Sequence, residues 1–194
     1  DRLSAFCGAI DRLPVLVQDY PGFLVNRALT PYLLEAMVLM EEGVPKEVID
    51  SAAIDFGMPM GPVTLADQVG LDICLHVAES LKEHLDKKAG QGFYDWSDGT
   101  PHPDTEDEGP ADLTDRLILP MLDACVECLR KGIARDADEV DAALIFATGF
   151  APFRGGPIHY AKARGIEDVR ATLADLAARH GPRFEPDEGW SDLA

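Results

Sequence analysis

The 194-residue sequence contains no Gly-x-Gly-x-x-Gly, so no strand–turn–helix dinucleotide fingerprint lies within it. It also lacks His-Glu-x-x-His, and its five His (76, 84, 102, 159 and 180) form no other metal pattern. None of these His has a carboxylate placed by sequence as an orienting partner, so no general base stands out. Cysteine is sparse. Cys7, Cys74, Cys125 and Cys128 are too scattered for a disulfide framework, which fits a reducing cytoplasm. Cys125 and Cys128 fall three apart on one face of an expected helix, without a second Cys/His pair at ligand spacing. They read as small buried thiols, and no metal site is expected. Basic residues are few, 17 against 35 acidic, for a net charge of −18. That balance argues against nucleic acid or an anionic membrane as partner. It also implies that the anionic end of a polyphosphate ligand would be held elsewhere. The first apolar run breaks at Glu35, far short of the ~20 residues of a membrane span. There is no initiating Met and no signal peptide, so the plainest reading is a fragment with something missing upstream.

What is present is a helical pattern with 46% apolar residues, enough for a real core. Residues 3–10 read as a short helix, and Leu13-Pro14-Val15-Leu16-Val17 as a brief strand. One helix–strand pair is not a domain, and it suggests the last piece of an α/β unit. The Pro21-Gly22 pair then turns the chain sharply. From Phe23, apolar residues at three- and four-residue steps (Ala28, Tyr32, Leu33, Ala36, Met37, Met40) predict a long helix stopped near Gly43. Pro31 lies inside it, where it removes one backbone bond and should kink the helix. A second helix should run from Pro45 to Gly57, and two more over 63–69 and 71–85, split at Gly70. Residues 97–112 are polar and rich in Pro, Asp and Glu, a composition that marks a linker.

Beyond the linker the first pattern returns. Asp115-Arg116-Leu117-Ile118-Leu119-Pro120 parallels Asn26-Arg27-Ala28-Leu29-Thr30-Pro31 at an offset of 89, and Gly132 follows Gly43 at the same offset. Val140-Asp141-Ala142-Ala143 echoes Ile49-Asp50-Ser51-Ala52, and Gly149 leads to Gly156-Pro157 as Gly57 leads to Gly61-Pro62. The pattern predicts a duplicated helical unit of roughly 80–90 residues, completed by a helix over 166–180 and an acidic, loop-like end over 184–194.

Two places could carry chemistry. Asn26 sits in the first turn of the long helix among Phe23, Leu24, Val25 and Leu29. A buried amide there needs a partner, since leaving it unpaired costs roughly 1–3 kcal/mol. The bland alternative is a bond to local backbone. The matching position in the repeat is Asp115, which leans the balance towards function. Lys87-Lys88-Ala89-Gly90-Gln91-Gly92 could meet an anion with ammonium and backbone N–H groups, though solvated turn lysines are the commoner outcome. Arg154-Gly155-Gly156 reads as a loop that faces the first copy or a ligand, the structural use being the simpler.

The run Asp19-x-Pro21-Gly22-Phe23-x-Val25-Asn26-Arg27, followed by Pro31-Tyr32-Leu33-x-Glu35-Ala36, resembles the C-terminal helical domain of 3-hydroxyacyl-CoA dehydrogenases. Gly57-x-Pro59-Met60-Gly61-Pro62, Leu65-x-Asp67-x-Val69-Gly70-Leu71-Asp72 and Lys88-x-Gly90-x-Gly92-Phe93-Tyr94 extend the resemblance. Gly149-Phe150-Ala151-Pro152-Phe153-Arg154-Gly155-Gly156-Pro157 is similar to the duplicate found in multifunctional α chains of fatty-acid β-oxidation complexes.

The resemblance implies an all-α fold carrying a short helix–strand remnant of a Rossmann domain. Residues 1–18 would be the tail of that NAD-binding domain, 19–96 the first helical domain, 97–112 the linker and 113–194 the second copy. It further implies oxidation of 3-hydroxyacyl-CoA to 3-ketoacyl-CoA, with NAD and a catalytic His–Glu pair held by the upstream domain. Asn26 would lie beside the reacting oxygen, and Lys88 would approach the cofactor. Where some members place a substrate-contacting Tyr, this chain has Phe146. The fragment alone should be inactive, and a thiolase subunit is a candidate partner of the whole protein. Two rivals stand beside this reading: a non-catalytic helical interaction module, and the helical domain of another hydroxyacid dehydrogenase.

Overall fold

The computed structural model describes residues 2–69, 93, 94, 105 and 107–193. Helix α1 (Arg2–Ala9) is followed by α2 (Val25–Glu41), α3 (Lys46–Phe56) and α4 (Pro62–Val69). Beyond residue 112 come α5 (Leu113–Arg130), α6 (Ala137–Thr148), α7 (Pro157–Arg164) and α8 (Ile166–His180). Among the described residues there is no strand. The strand expected at Leu13–Val17 is instead an unpaired, irregular segment. A strand exists only against another strand that completes its ladder, and no such strand lies among the described residues. The helix expected at 71–85 lies outside the described residues.

α2 and α5 form the centre. They pack on one another along their apolar stripes, Ala28, Tyr32, Ala36 and Leu39 on one side and Leu117, Met121, Cys125 and Cys128 on the other. All eight side chains are fully buried, in one core continuous with α3, α6, α7 and α8. Both helices continue through a proline, Pro31 and Pro120. Two charged side chains are buried between them. Arg116 on α5 donates from Nε to Glu35 Oε1 of α2 at 2.7 Å, and its other nitrogens reach Glu42 at 2.6 and 3.0 Å. Glu35 is completed by Arg183 Nε at 2.7 Å. Glu35 and Arg116 are each only 2% exposed, so this network is part of the core.

The two runs of helices use the same device at the same place. Buried Asp50 on α3 accepts from the backbone N–H of Val63 and Thr64, and from the Thr64 hydroxyl, at 2.7–2.9 Å. Asp141 on α6 accepts from Ile158 and His159 N–H at 2.7 and 3.0 Å. Each carboxylate thereby satisfies orphan donors at the start of the next helix, where the helix dipole favours negative charge. Glycine is required beside each cap. A Cβ on Gly61 would come within 2.2 Å of the Asp50 carboxyl, and one on Gly156 within 2.4 Å of Asp141.

The end of the chain differs from expectation. Residues 182–193 contain two short 3-10 turns, Pro182–Phe184 and Glu188–Asp192, and Phe184 and Trp190 are fully buried. Asp123 of α5 accepts from Asp187 N–H and from the Trp190 indole, at 2.8 and 2.7 Å. Arg130 pairs with Asp187 at 2.6 Å. The acidic composition of this tail disguised two aromatic anchors.

Candidate active-site seam

Tyr20-Pro21-Gly22-Phe23 makes the turn that delivers the chain into α2. Gly22 and Phe23 have successive left-handed backbones, φ +79° and +49°. For Gly this is free, whereas a bulky L-residue pays about 1–2 kcal/mol and stays only if its surroundings hold it. Leu24, at the helix entry, supplies no side-chain cap. Val15, Val17, Gly22, Phe23, Leu24, Val25 and Asn26 line an open concavity of about 220 Å³ here.

Asn26 is exposed at its rim, not buried. It projects from α2 away from the stripe of Ala28, Tyr32, Glu35, Ala36 and Leu39, so the cost of an unpaired buried amide does not arise. Its backbone carbonyl accepts from Thr30 Oγ1 at 2.7 Å, and its side chain makes no hydrogen bond among the described residues. The amide is therefore available to a ligand. The concavity beside it is lined by apolar side chains, of which Phe23 is 51% exposed; elsewhere Leu3, Phe6, Leu13 and Leu16 are also exposed.

At the corresponding place in the second run, Asp115 is tied by both oxygens to Arg164, with Nη2 at 3.1 Å. That carboxylate is engaged where the Asn26 amide is open.

Lys88 lies outside the described residues, but Phe93 and Tyr94 of the same sequence motif are described. Asp67 at the end of α4 accepts from Phe93 and Tyr94 N–H, each at 2.6 Å. Lys46 bonds the Phe93 carbonyl and lies over the Tyr94 ring, 4.4 Å from its centre. Asn26 and the Phe93–Tyr94 pair thus belong to different surroundings, α2 for one and α3–α4 for the other.

Other candidates resolve to structure. Arg154 donates from Nε to the Phe56 carbonyl at 2.8 Å and stacks over the Phe56 ring, 4.2 Å from its centre. It faces the first run of helices. Cys125 and Cys128 are buried thiols, raised by burial, Cys128 to about 11. No group of three metal-ligating side chains is assembled among the described residues. Phe146 stands 73% exposed on α6. Sequence reasoning missed the two capping carboxylates, whose signal was available: each Asp is followed, eleven and fifteen residues on, by a Gly-Pro pair.

Residues 22–94 match the family described as 3-hydroxyacyl-CoA dehydrogenase, C-terminal domain. The match covers 73 of the 194 residues. Beyond them the likeness continues. Fatty acid oxidation complex subunit alpha of Vibrio cholerae serotype O1 is 34% identical over 92% of this chain, and that of Shewanella sp. (strain MR-4) 33% over 98%. This chain spans only 30% and 32% of those two relatives. The crystal structure of 3-hydroxybutyryl-CoA dehydrogenase from Escherichia coli K12 superposes with a TM-score of 0.77 at 20% identity, over 98% of this chain and 63% of that one. At that identity the superposition speaks to the fold, which is helical in both. The dehydrogenase family match includes Asn26, Lys88 and the whole capping arrangement of Asp50 and Gly61.

Proposed function

We propose that this chain is the helical substrate-binding region of an NAD-dependent 3-hydroxyacyl-CoA dehydrogenase of fatty-acid β-oxidation, acting with an upstream Rossmann domain of the same polypeptide. The observation that carries the proposal is the exposed, unengaged Asn26 amide at the rim of an apolar concavity, within the family-matched residues. In this reading its N–H donates to the oxygen on C3 of the acyl-CoA and orients it as alcohol becomes ketone. The exposed apolar residues of 3–16 and Phe23 would lie against the upstream domain.

The described residues do not make a dinucleotide site by themselves: the concavity is open and presents a single carboxamide. NAD would be held mainly by the upstream domain, with Lys88 approaching it, and it supplies the hydride acceptor when bound. The catalytic His–Glu pair would also be upstream, so this region alone should not turn over. The relatives are named as subunits of a fatty acid oxidation complex, which makes a thiolase subunit a candidate partner, and the net charge and free thiols suit the cytoplasm.

We further read α5–α8 as a duplicate of the first helical unit that retained the fold and lost the chemistry. The paired prolines, the Asp50/Asp141 caps with their glycines, and Asp115 locked to Arg164 support this. The test is Asn26→Ala in the full-length protein. We expect kcat with 3-hydroxyacyl-CoA to fall about 100-fold. Stability should change by less than about 0.5 kcal/mol, because the side chain is exposed. Unchanged turnover would favour a non-catalytic interaction module instead.

A further inference from the structure

We propose that Glu127 is a positioning residue for the reaction: from α5 it clamps Arg27 and, with Lys131, Tyr20, and so fixes the turn that aims Asn26. The inference rests on the reading of Asn26 given above. It assigns to the second run of helices a part in positioning the catalytic group of the first.

Asn26 has no side-chain bond of its own, so its direction is set by the backbone that carries it. That backbone begins in an unfavourable turn, with Phe23 left-handed and no side-chain cap at Leu24. Something outside the turn must hold it. Gln18 N–H donates to the Ile133 carbonyl at 2.9 Å, which pins the approach. Arg27, the neighbour of Asn26, donates from Nε and Nη2 to Glu127 Oε2 at 2.9 and 2.6 Å, across 100 residues of sequence. Lys131 occupies the other oxygen, Oε1, at 2.5 Å, and donates to the Tyr20 hydroxyl at 3.1 Å. The Tyr20 ring lies under both cations, 4.9 Å from the Arg27 guanidinium carbon and 5.3 Å from Lys131 Nζ. Both ends of the turn therefore converge on one carboxylate.

An isolated surface ion pair would be worth little. This one is half-buried, uses both oxygens on different cations, and shares an aromatic ring between them. Burial pushes the Glu127 carboxyl up, and the bonds from Lys131 and Arg27 outweigh it, leaving it below the ordinary range. A small displacement at a reacting centre can cost about 100-fold in rate, so a clamp of modest strength can have a large kinetic effect.

The experiment is a double-mutant comparison in the full-length protein, measuring kcat, KM and melting temperature with 3-hydroxyacyl-CoA and NAD. Glu127→Ala should lower kcat and kcat/KM together, by about 10- to 100-fold. Glu127→Gln, which can still accept from Arg27 but loses its charge, should fall between it and the unmodified protein. In an Asn26→Ala background, Glu127→Ala should produce less than about a twofold further change. Arg130→Met, on the same helix but paired with Asp187, should leave turnover unchanged. Should Glu127→Ala fail to fold, Glu127→Gln and Lys131→Met carry the same comparison. Full turnover by Glu127→Ala beside an impaired Asn26→Ala overturns the inference alone, as do independent, multiplying losses in the double mutant. Full turnover by Asn26→Ala removes the reading of Asn26, and the clamp's purpose with it.

Discussion

Asp123 is a carboxylate enclosed where helix α5 meets the folded tail, and burial pushes its acid up to about 6 despite the Asp187 and Trp190 N–H bonds. The neighbouring Asp187 and Glu127 charges push in the same direction. Its folded value lies above the usual carboxylate value, so between about pH 4 and 6 the folded chain binds more protons than the unfolded one. Stability from this group is accordingly present at low pH and lost as pH rises through about 6. The loss is at most about 3 kcal/mol, less whatever solvent reaches the site. Asp123→Asn keeps an oxygen for both N–H donors and removes the charge. We expect it to be at least as stable as the unmodified chain at pH 8, and its urea midpoint to vary less between pH 4 and 7. A steeper pH dependence in Asp123→Asn would contradict this account.

Among the helices and turns, glycines separate two costs that are usually confounded. Gly61 has an ordinary backbone but no room, its missing Cβ falling on the Asp50 carboxyl. Gly132 has open space but a left-handed backbone, φ +66°. Gly132→Ala should therefore cost only backbone strain, about 1–2 kcal/mol. Gly61→Ala must displace the cap of α4 as well, and should cost about 3 kcal/mol or more by chemical denaturation. Such details mark how far the sequence was legible. Periodicity and Gly/Pro punctuation located α2, α3, α4 and α8 to within about two residues, because those signals are local. The strand at Leu13–Val17 was not found, because β-branched residues state a preference that only a neighbouring strand can satisfy. Glu35 breaks an apolar run in the sequence yet is a core residue, because its partners Arg116 and Arg183 are 81 and 148 residues away. Asn26 stands among apolar neighbours in sequence yet is exposed in the fold; helix phase, not neighbours in sequence, decides which way a side chain points.

Across the whole molecule, the Glu35–Arg116 pair is a fully buried polar link between the two runs of helices. Removing one member leaves the other charged in a dry site, which is far more costly than losing the pair. Arg116→Met should destabilise the chain by about 3–5 kcal/mol, softened by the Arg183 bond that remains on Glu35. Glu35→Gln combined with Arg116→Met should be less destabilised than Arg116→Met alone, and thermal melting of the three variants checks the order. A buried pair of this kind favours one register of α2 on α5 over its neighbours, because a shift of one turn strands both charges.

The packing of α2 against α5 also sets a schedule for synthesis. The apolar face of α2 is complete once Glu41 has been translated, yet the helix that covers it begins at Leu113. At roughly 5–20 residues per second, the side of α2 that meets α5 stays bare for several seconds or more. During that interval the nascent chain is a target for chaperones or for a second nascent chain on the same message, whose own α2 is equally bare. A ribosome-stalling series should show protection of α2 from protease only after α5 has cleared the exit tunnel.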